Sequence, residues 1–235
     1  MIVIRRNGKN EGFWLRNSEK FVQYLQSLGV PENWQIVDVY GLDPDILSAV
    51  PQPVIAVLLL FPTSDKYEEH KNKQEEELKK AGDAMPENVY YLKQVVSNAC
   101  GTIALIHSVA NNTDKIDLKD GDLKKFLHET LSLNPEERGA KLLDSAGIIN
   151  THKEVAQEGQ TEAPDCNDPV NYHFVAFVNK DGQLFELDGR KSCPINHGKT
   201  SDATLLQDAA KVCREFMERD PEELHFTVVA LTSSA

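Results

Sequence analysis

The chain lacks any run of 18 or more apolar residues. A bilayer-spanning helix needs about 20, so no contact with a membrane core is expected, and the VIAVLLLF stretch from Val54 to Phe61 reads as a buried strand. The opening MIVIRRNGKN carries basic residues, but its apolar segment is too short for a signal peptide. Cysteine is scarce: Cys100, Cys166, Cys193 and Cys213 show neither the paired spacing of metal ligands nor a small disulfide framework. The expectation is a reducing, cytoplasmic setting with no metal and no cofactor. Basic side chains are also in short supply, 25 against 37 acidic ones, for a formal charge of −12. That balance disfavours nucleic acid as a ligand and favours a basic partner. No internal repeat is visible. With 235 residues, of which 40% are hydrophobic, the chain has enough apolar material to close one core, and residues 1–235 are read as a single domain.

What is present centres on Cys100. In QVVSNACGTIALIHSVANN, Ser97 or Asn98 is placed to cap a helix with Cys100 in its first turn, and the body of that helix is apolar nearly all round, as in a buried helix. A sulfur at such a start sits over unpaired backbone N–H groups and the positive end of the helix dipole, which favours thiolate over thiol. A cysteine on an apolar helix is by itself most often structural. That balance changes with the second element, NYHFVAFVNKDGQLFELDGRK, whose alternating runs Tyr172–Val178 and Leu184–Leu187 flank Asp181-Gly182, a strong hairpin signal. An even-length loop puts His173 and Asp188 on one face, directly opposite or diagonal, so that imidazole and carboxylate meet. The carboxylate then fixes the ring tautomer and stabilises imidazolium. Gln94 supplies an amide donor six residues before the thiol, and the set of thiol, base, orienting carboxylate and donor suits a thiol hydrolase.

The remaining pattern reads as α/β, a sheet flanked by helices. Helices are expected at Ser18–Leu28 with Gly29 ending it, and at Asp43–Val50, Ser64–Lys80, Asp122–Leu131, Asn134–Leu143 and Ala203–Glu218. Asn134-Pro135 is a cap-then-proline start. Strands are expected at Gln35–Val39, Val54–Phe61 and Leu224–Leu231, the last inserted in the sheet. Glu75, Glu76 and Glu77 are read as part of an exposed helix. The polar stretch Thr151–Val170 has no convincing period, and a loop this long in a compact domain is usually functional or disordered.

Several of these segments together resemble the ubiquitin C-terminal hydrolases, in particular their short single-domain members. The resemblance runs from about Asn33 to the C-terminus through NWQIVDVYGLDPDILSAVP, the Gln94–Asn112 stretch, His173-Phe174, ELDGRK at Glu186–Lys191, PINHG and REFMERDP. It implies a papain-like fold with a mainly antiparallel central sheet and a knotted backbone, an exception to the usual avoidance of knots. It also implies that Cys100 is the nucleophile, His173 the general base, Asp188 its orienter and Gln94 the side-chain donor of an oxyanion hole, with the Cys100 N–H as a second donor. EGQTEAP, within 151–170, matches the family's flexible crossover loop over the active site. The opening residues 1–17 depart from the family's W-L-P-L-E-like start, and Trp14-Leu15 stands in for part of it. The implied partner is ubiquitin, whose arginine-bearing tail suits an acidic enzyme, and Asp38, Glu158 and Glu222 are candidate docking carboxylates. A ubiquitin-like modifier as substrate, and a mainly ubiquitin-sequestering protein with slow turnover, are the alternatives. The chain is expected to act as a monomer.

Overall fold

The computed structural model describes residues 18–82, 85–95, 99–149 and 172–233. Its elements in chain order are α1 (Ser18–Ser27), β1 (Trp34–Asp38), α2 (Pro44–Leu47), β2 (Val54–Pro62), α3 (Asp65–Ala81), α4 (Cys100–Ala110), α5 (Asp122–Thr130), α6 (Pro135–Leu143), β3 (Tyr172–Lys180), β4 (Gln183–Leu187), β5 (Ile195–Lys199), α7 (Leu205–Arg219) and β6 (Thr227–Ser233). The strands form one six-stranded sheet in the order β1-β6-β2-β3-β4-β5, every neighbouring pair antiparallel.

Strand β2 lies in the middle and is covered on both faces, which is why its sequence is a continuous apolar run instead of an alternation. Ala56, Leu58 and Leu60 face a core shared with α1, α4 and α5, while Val57, Leu59 and Phe61 face a second core under α7. Ile55 breaks this alternation by joining the same side as Ala56, and the pairing with β6 shifts register between Val54 and Ala56. That is the geometry of a β-bulge, two residues opposing one. Leu59 sits at the centre of the second core, paired to Val175 and Val228 and fully buried. Leu59→Ala is expected to cost about 2–5 kcal/mol, the usual range for emptying a packed leucine site. The check is a lowered denaturant midpoint at unchanged slope.

Local chemistry explains the element ends. Ser64 accepts a hydrogen bond from the Tyr67 N–H and starts α3; Asn134 and Glu137 form a reciprocal capping box at α6, behind Pro135. The β3–β4 hairpin closes with Lys180 opposite Gln183, and its two central residues, Asp181 and Gly182, have φ of 52° and 75°. Two left-handed residues make a type I′ turn, whose twist matches the flanking strands. The final strand does insert in the sheet, between β1 and β2, but it begins at Thr227 instead of Leu224. Strand β5 escaped the sequence reading, because INHGK carries only one apolar residue and lies on the sheet edge, where half the backbone pairing and most of the burial that shape a strand sequence are absent.

Candidate active site

Cys100 is the first residue of α4, and Cys100 through Val109 are all buried against β2 and β3. The helix starts later than the capping residues read from the sequence: Ala99 occupies the N-cap with no side-chain cap hydrogen bond, and Ser97 and Asn98 lie outside the described residues. With no oxygen of the N-cap side chain to satisfy the first N–H groups, the helix start keeps its donors and its positive dipole end for whatever lies at the sulfur.

His173 enters from β3, where it pairs with Phe61 of β2, and it is fully buried. Ala176 pairs with Leu187, so Asp188, one residue past β4, lies diagonal to His173 on the same face. The imidazole Nε2 and the Asp188 Oδ1 are 2.6 Å apart, both side chains without solvent exposure. Two further donors complete the carboxylate: Tyr67 Oη donates to Oδ2 at 2.7 Å and the Arg190 N–H donates to Oδ1 at 2.9 Å. Phe61 stands edge-on to the imidazole, 5.8 Å between ring centres, and packs on Tyr67 at 4.8 Å.

With Nε2 held by Asp188, Nδ1 is the ring nitrogen left for the thiol; it is buried and makes no direct hydrogen bond. Thiol and ring nevertheless shift each other's titration. Burial pushes the Cys100 thiol up, but its interaction with His173, a backbone hydrogen bond from Phe174 and the charge of Arg190 outweigh burial and hold it below its ordinary value of 9.0. Burial pushes His173 down, and the Asp188 carboxylate together with the Cys100 sulfur more than reverses this, raising it from 6.5 to about 9. Burial likewise acts against ionised Asp188, and the charge and hydrogen bonds of its neighbours, His173 first, hold it well below the usual carboxylate range. All three directions favour one state, thiolate beside imidazolium beside carboxylate. A thiolate carried on a helix start next to a protonated histidine is an activated nucleophile.

Gln94 is joined to the same centre through the backbone: its N–H donates to the Gly189 carbonyl at 2.8 Å. Its side-chain Oε1 is buried and has no partner. A buried amide end with no protein partner is costly, and here it lies on the strand-like segment that leads to Cys100.

A second polar cluster adjoins the first. Glu186, fully buried, contacts the Lys191 ammonium through one oxygen and His197 Nε2 at 2.9 Å through the other, and Lys191 Nζ also donates to Gln74 Oε1 at 2.7 Å. Burial acts against ionised Glu186, and the Lys191 ammonium together with the His197 hydrogen bond outweighs it, holding the carboxyl well below its ordinary value. The Ser192 N–H donates to Glu75 at 3.1 Å, so Glu75 is anchored and only Glu76 and Glu77 of that run are exposed. The cluster fixes α3, and with it Tyr67, against the end of β4. Tyr67 was missed in the sequence; the one available signal is an aromatic residue one turn into a helix, DKYEEHKNKQEEELKKA, that is otherwise charged and polar.

The candidate docking carboxylates lie elsewhere. Asp38, half-buried, ends β1 opposite Val229, and Glu222 is exposed in the turn before β6, close to the Lys66–Asp220 ion pair. Both are at the same end of the sheet, on its β1–β6 edge, separated from β3 by β2. Glu223, next to Glu222, is engaged by His225 and by the backbone N–H groups of Leu224 and His225. Glu158, Cys166, residues 1–17 and the expected crossover loop at 151–170 lie outside the described residues. Among the described residues no group of three or more His, Cys, Asp or Glu is arranged to hold a metal ion, and no helix is long and apolar enough to cross a membrane.

A cysteine heading a buried helix, facing a histidine and a carboxylate carried by an antiparallel sheet, defines a papain-like cysteine hydrolase. The chain belongs, more narrowly, to the ubiquitin carboxyl-terminal hydrolase family 1, whose model matches residues 16–218. It is 50% identical over 218 residues to a ubiquitin carboxyl-terminal hydrolase of Drosophila melanogaster, covering 93% of this chain and 95% of that one. It is 49% identical over 220 residues to the human ubiquitin carboxyl-terminal hydrolase isozyme L1, covering 93% and 96%. Among solved structures, the catalytic domain of Trichinella spiralis UCH37 bound to ubiquitin vinyl methyl ester superposes with a TM-score of 0.71 at 23% identity, over 93% of each chain. At that identity the likeness speaks for the fold.

Proposed function

We propose that the chain is a thiol-dependent hydrolase that releases small adducts or short peptides from the C-terminal glycine of ubiquitin, working as a single-domain monomer in the cytoplasm. Cys100 Sγ attacks the carbonyl carbon of that glycine, forming a thioester as the bond to the adduct breaks. The tetrahedral oxyanion is received by the Gln94 amide and the Cys100 backbone N–H at the start of α4. His173, already protonated by its pairing with thiolate and carboxylate, gives its proton to the leaving amine or alcohol. It then takes one from the water that hydrolyses the thioester, which returns the proton to the ring and the thiolate to Cys100. Asp188 keeps the ring oriented and its charge balanced throughout. Asp38 and Glu222 receive the basic tail of ubiquitin on its way to this centre, and Glu158 is a third candidate carboxylate for the same role.

The observation that carries this reading is the buried line from Asp188 through His173 to Cys100, a residue only 7% exposed whose thiol is nevertheless held below its ordinary pKa. A purely sequestering protein needs no such ionised set in its interior, where each charge is expensive. The test is covalent labelling by ubiquitin bearing a C-terminal electrophile, run beside the same warhead on a ubiquitin-like modifier. Rapid labelling of Cys100 by the ubiquitin probe alone is expected. Labelling by the other probe alone would move the substrate to that modifier, and tight ubiquitin binding without labelling would leave a sequestering protein.

A further inference from the structure

Asp188 and Gln94 belong to segments 94 residues apart, yet one turn holds both. The turn 188–191 folds on itself through the Lys191 N–H, which donates to the Asp188 carbonyl at 2.9 Å. Against it lies the segment 91–94, which donates to three of its four carbonyls: Tyr91 Oη to those of Asp188 and Lys191, Lys93 Nζ to that of Lys191, and the Gln94 N–H to that of Gly189.

Gly189 lies at the closest point of this contact. Its φ is not positive, so backbone freedom does not demand glycine there. Space does. A Cβ on residue 189 would stand 3.0 Å from Ile103 Cγ2, 3.1 Å from Gln94 Cβ and 3.2 Å from Gln94 N. Ile103 belongs to α4, the helix headed by Cys100, and is itself buried. A methyl group at residue 189 is therefore wedged between the nucleophile's helix and Gln94, whose side-chain oxygen is left unpartnered. Relieving it takes a few tenths of an ångström from Gln94, from Ile103 or from residue 189 itself, and each of these changes the spacing between the Gln94 segment and the helix of Cys100.

We propose that Gly189 is a positioning residue for the oxyanion hole: its missing side chain and its carbonyl set where the Gln94 amide stands relative to Cys100. The proposal rests on the assignment of Gln94 as an oxyanion donor. It explains why the orienting carboxylate and the donor amide are built on one template, since a single turn then fixes both ends of the catalytic line.

The test is a set of variants measured on a small ubiquitin C-terminal ester. Gly189→Ala is expected to lower kcat about tenfold, the scale of a sub-ångström misplacement where a full ångström costs about a hundredfold, with KM and ubiquitin affinity unchanged. The pH profile of Cys100 alkylation by iodoacetamide should match the parent, because the thiolate depends on His173 and Asp188 and not on Gln94. Gln94→Ala alone should lower kcat by about a hundred- to a thousandfold, and adding Gly189→Ala to it should cost nothing further, the signature of two residues acting through one contact. Lys93→Met keeps the bulk, removes the ammonium and with it the donation to the Lys191 carbonyl, and should repeat the pattern at smaller size; it decides the matter if Gly189→Ala does not fold. A full loss from Gly189→Ala or Lys93→Met in the Gln94→Ala background, or a shifted alkylation profile, overturns the coupling while leaving Gln94 in place. Parent-like kcat in Gln94→Ala overturns the donor assignment, and the coupling with it.

Discussion

Cys100→Ser is expected to reduce turnover of a ubiquitin C-terminal ester by at least about 10⁴-fold, the scale on which removing a nucleophile from a triad acts, while ubiquitin affinity stays within a few-fold. The size follows from the ionisation state. In this interior the thiol is held below its ordinary value and His173 is raised to about 9, so the site favours thiolate beside a charged ring over thiol beside a neutral one. A serine hydroxyl starts far above the thiol and gains nothing comparable from the same neighbours; His173 then faces a neutral group and loses one of the two charges that keep it protonated. The affinity is spared because Cys100, 7% exposed at the head of a helix, offers little surface for docking. The paired measurements are steady-state hydrolysis and equilibrium binding of ubiquitin. A serine variant that keeps more than a tenth of the parent rate would remove Cys100 as nucleophile, and one that loses ubiquitin binding together with activity would make the residue structural.

Much of this site was legible before any coordinates. The hairpin signal at Asp181-Gly182 was legible, and any even loop there puts His173 and Asp188 on one face; the register adds that the loop is indeed even and the two are diagonal, with Asp188 past the last paired residue Leu187. Cys100 was legible only in company: a helix apolar on all sides has to be buried, which alone suits a structural cysteine, and the His173 and Asp188 pair is what turned the thiol at its first turn into a candidate nucleophile. What stayed hidden depends on contacts between distant segments. Tyr67 reaches Asp188 across 121 positions of sequence, and nothing in the local period of α3 says which face meets the end of β4. The Glu186–Lys191–His197 cluster was hidden for a related reason: each residue is a common surface type, and only their convergence makes burial affordable. The cap at Ala99 was misplaced by one or two positions because Ser97 and Asn98 both satisfy the local preference for a capping oxygen. Here the helix begins at the thiol itself, with no capping side chain between it and the site.

Asp188→Asn tests the division of labour within the ion pair, and its expected cost in kcat/KM is about a hundredth of that of losing Cys100 or His173. The carboxylate accepts from three donors, His173 Nε2, Tyr67 Oη and the Arg190 N–H. A primary amide has one accepting oxygen, so it keeps His173 and the Arg190 N–H only by turning its NH₂ on Tyr67 Oη, which must then accept instead of donate. The ring is left with a neutral partner, and the positive charge on it loses its principal support. The pH dependence gives the sharper reading. In the parent, raised His173 contributes stability that is complete below its unfolded value near 6.5 and is lost as pH rises through about 9. Depressed Asp188 contributes stability that is present above its unfolded value of 3.8 and is lost as pH falls through its lower folded value. Removing the carboxylate deletes the acid-side contribution outright and lets burial, which opposes imidazolium, pull His173 down from about 9. The alkaline limb of the rate profile should move toward lower pH, and the alkylation profile of Cys100 should move upward as its cationic partner is lost, so the window in which thiolate and imidazolium coexist narrows from both sides. Hydrolysis and iodoacetamide alkylation across pH 5 to 10, with thermal unfolding followed in parallel, measure all three shifts. An asparagine variant whose two limbs stay where the parent's are, or whose loss equals that of Cys100→Ser with the fold intact, would show that Asp188 does something other than hold and charge the imidazole.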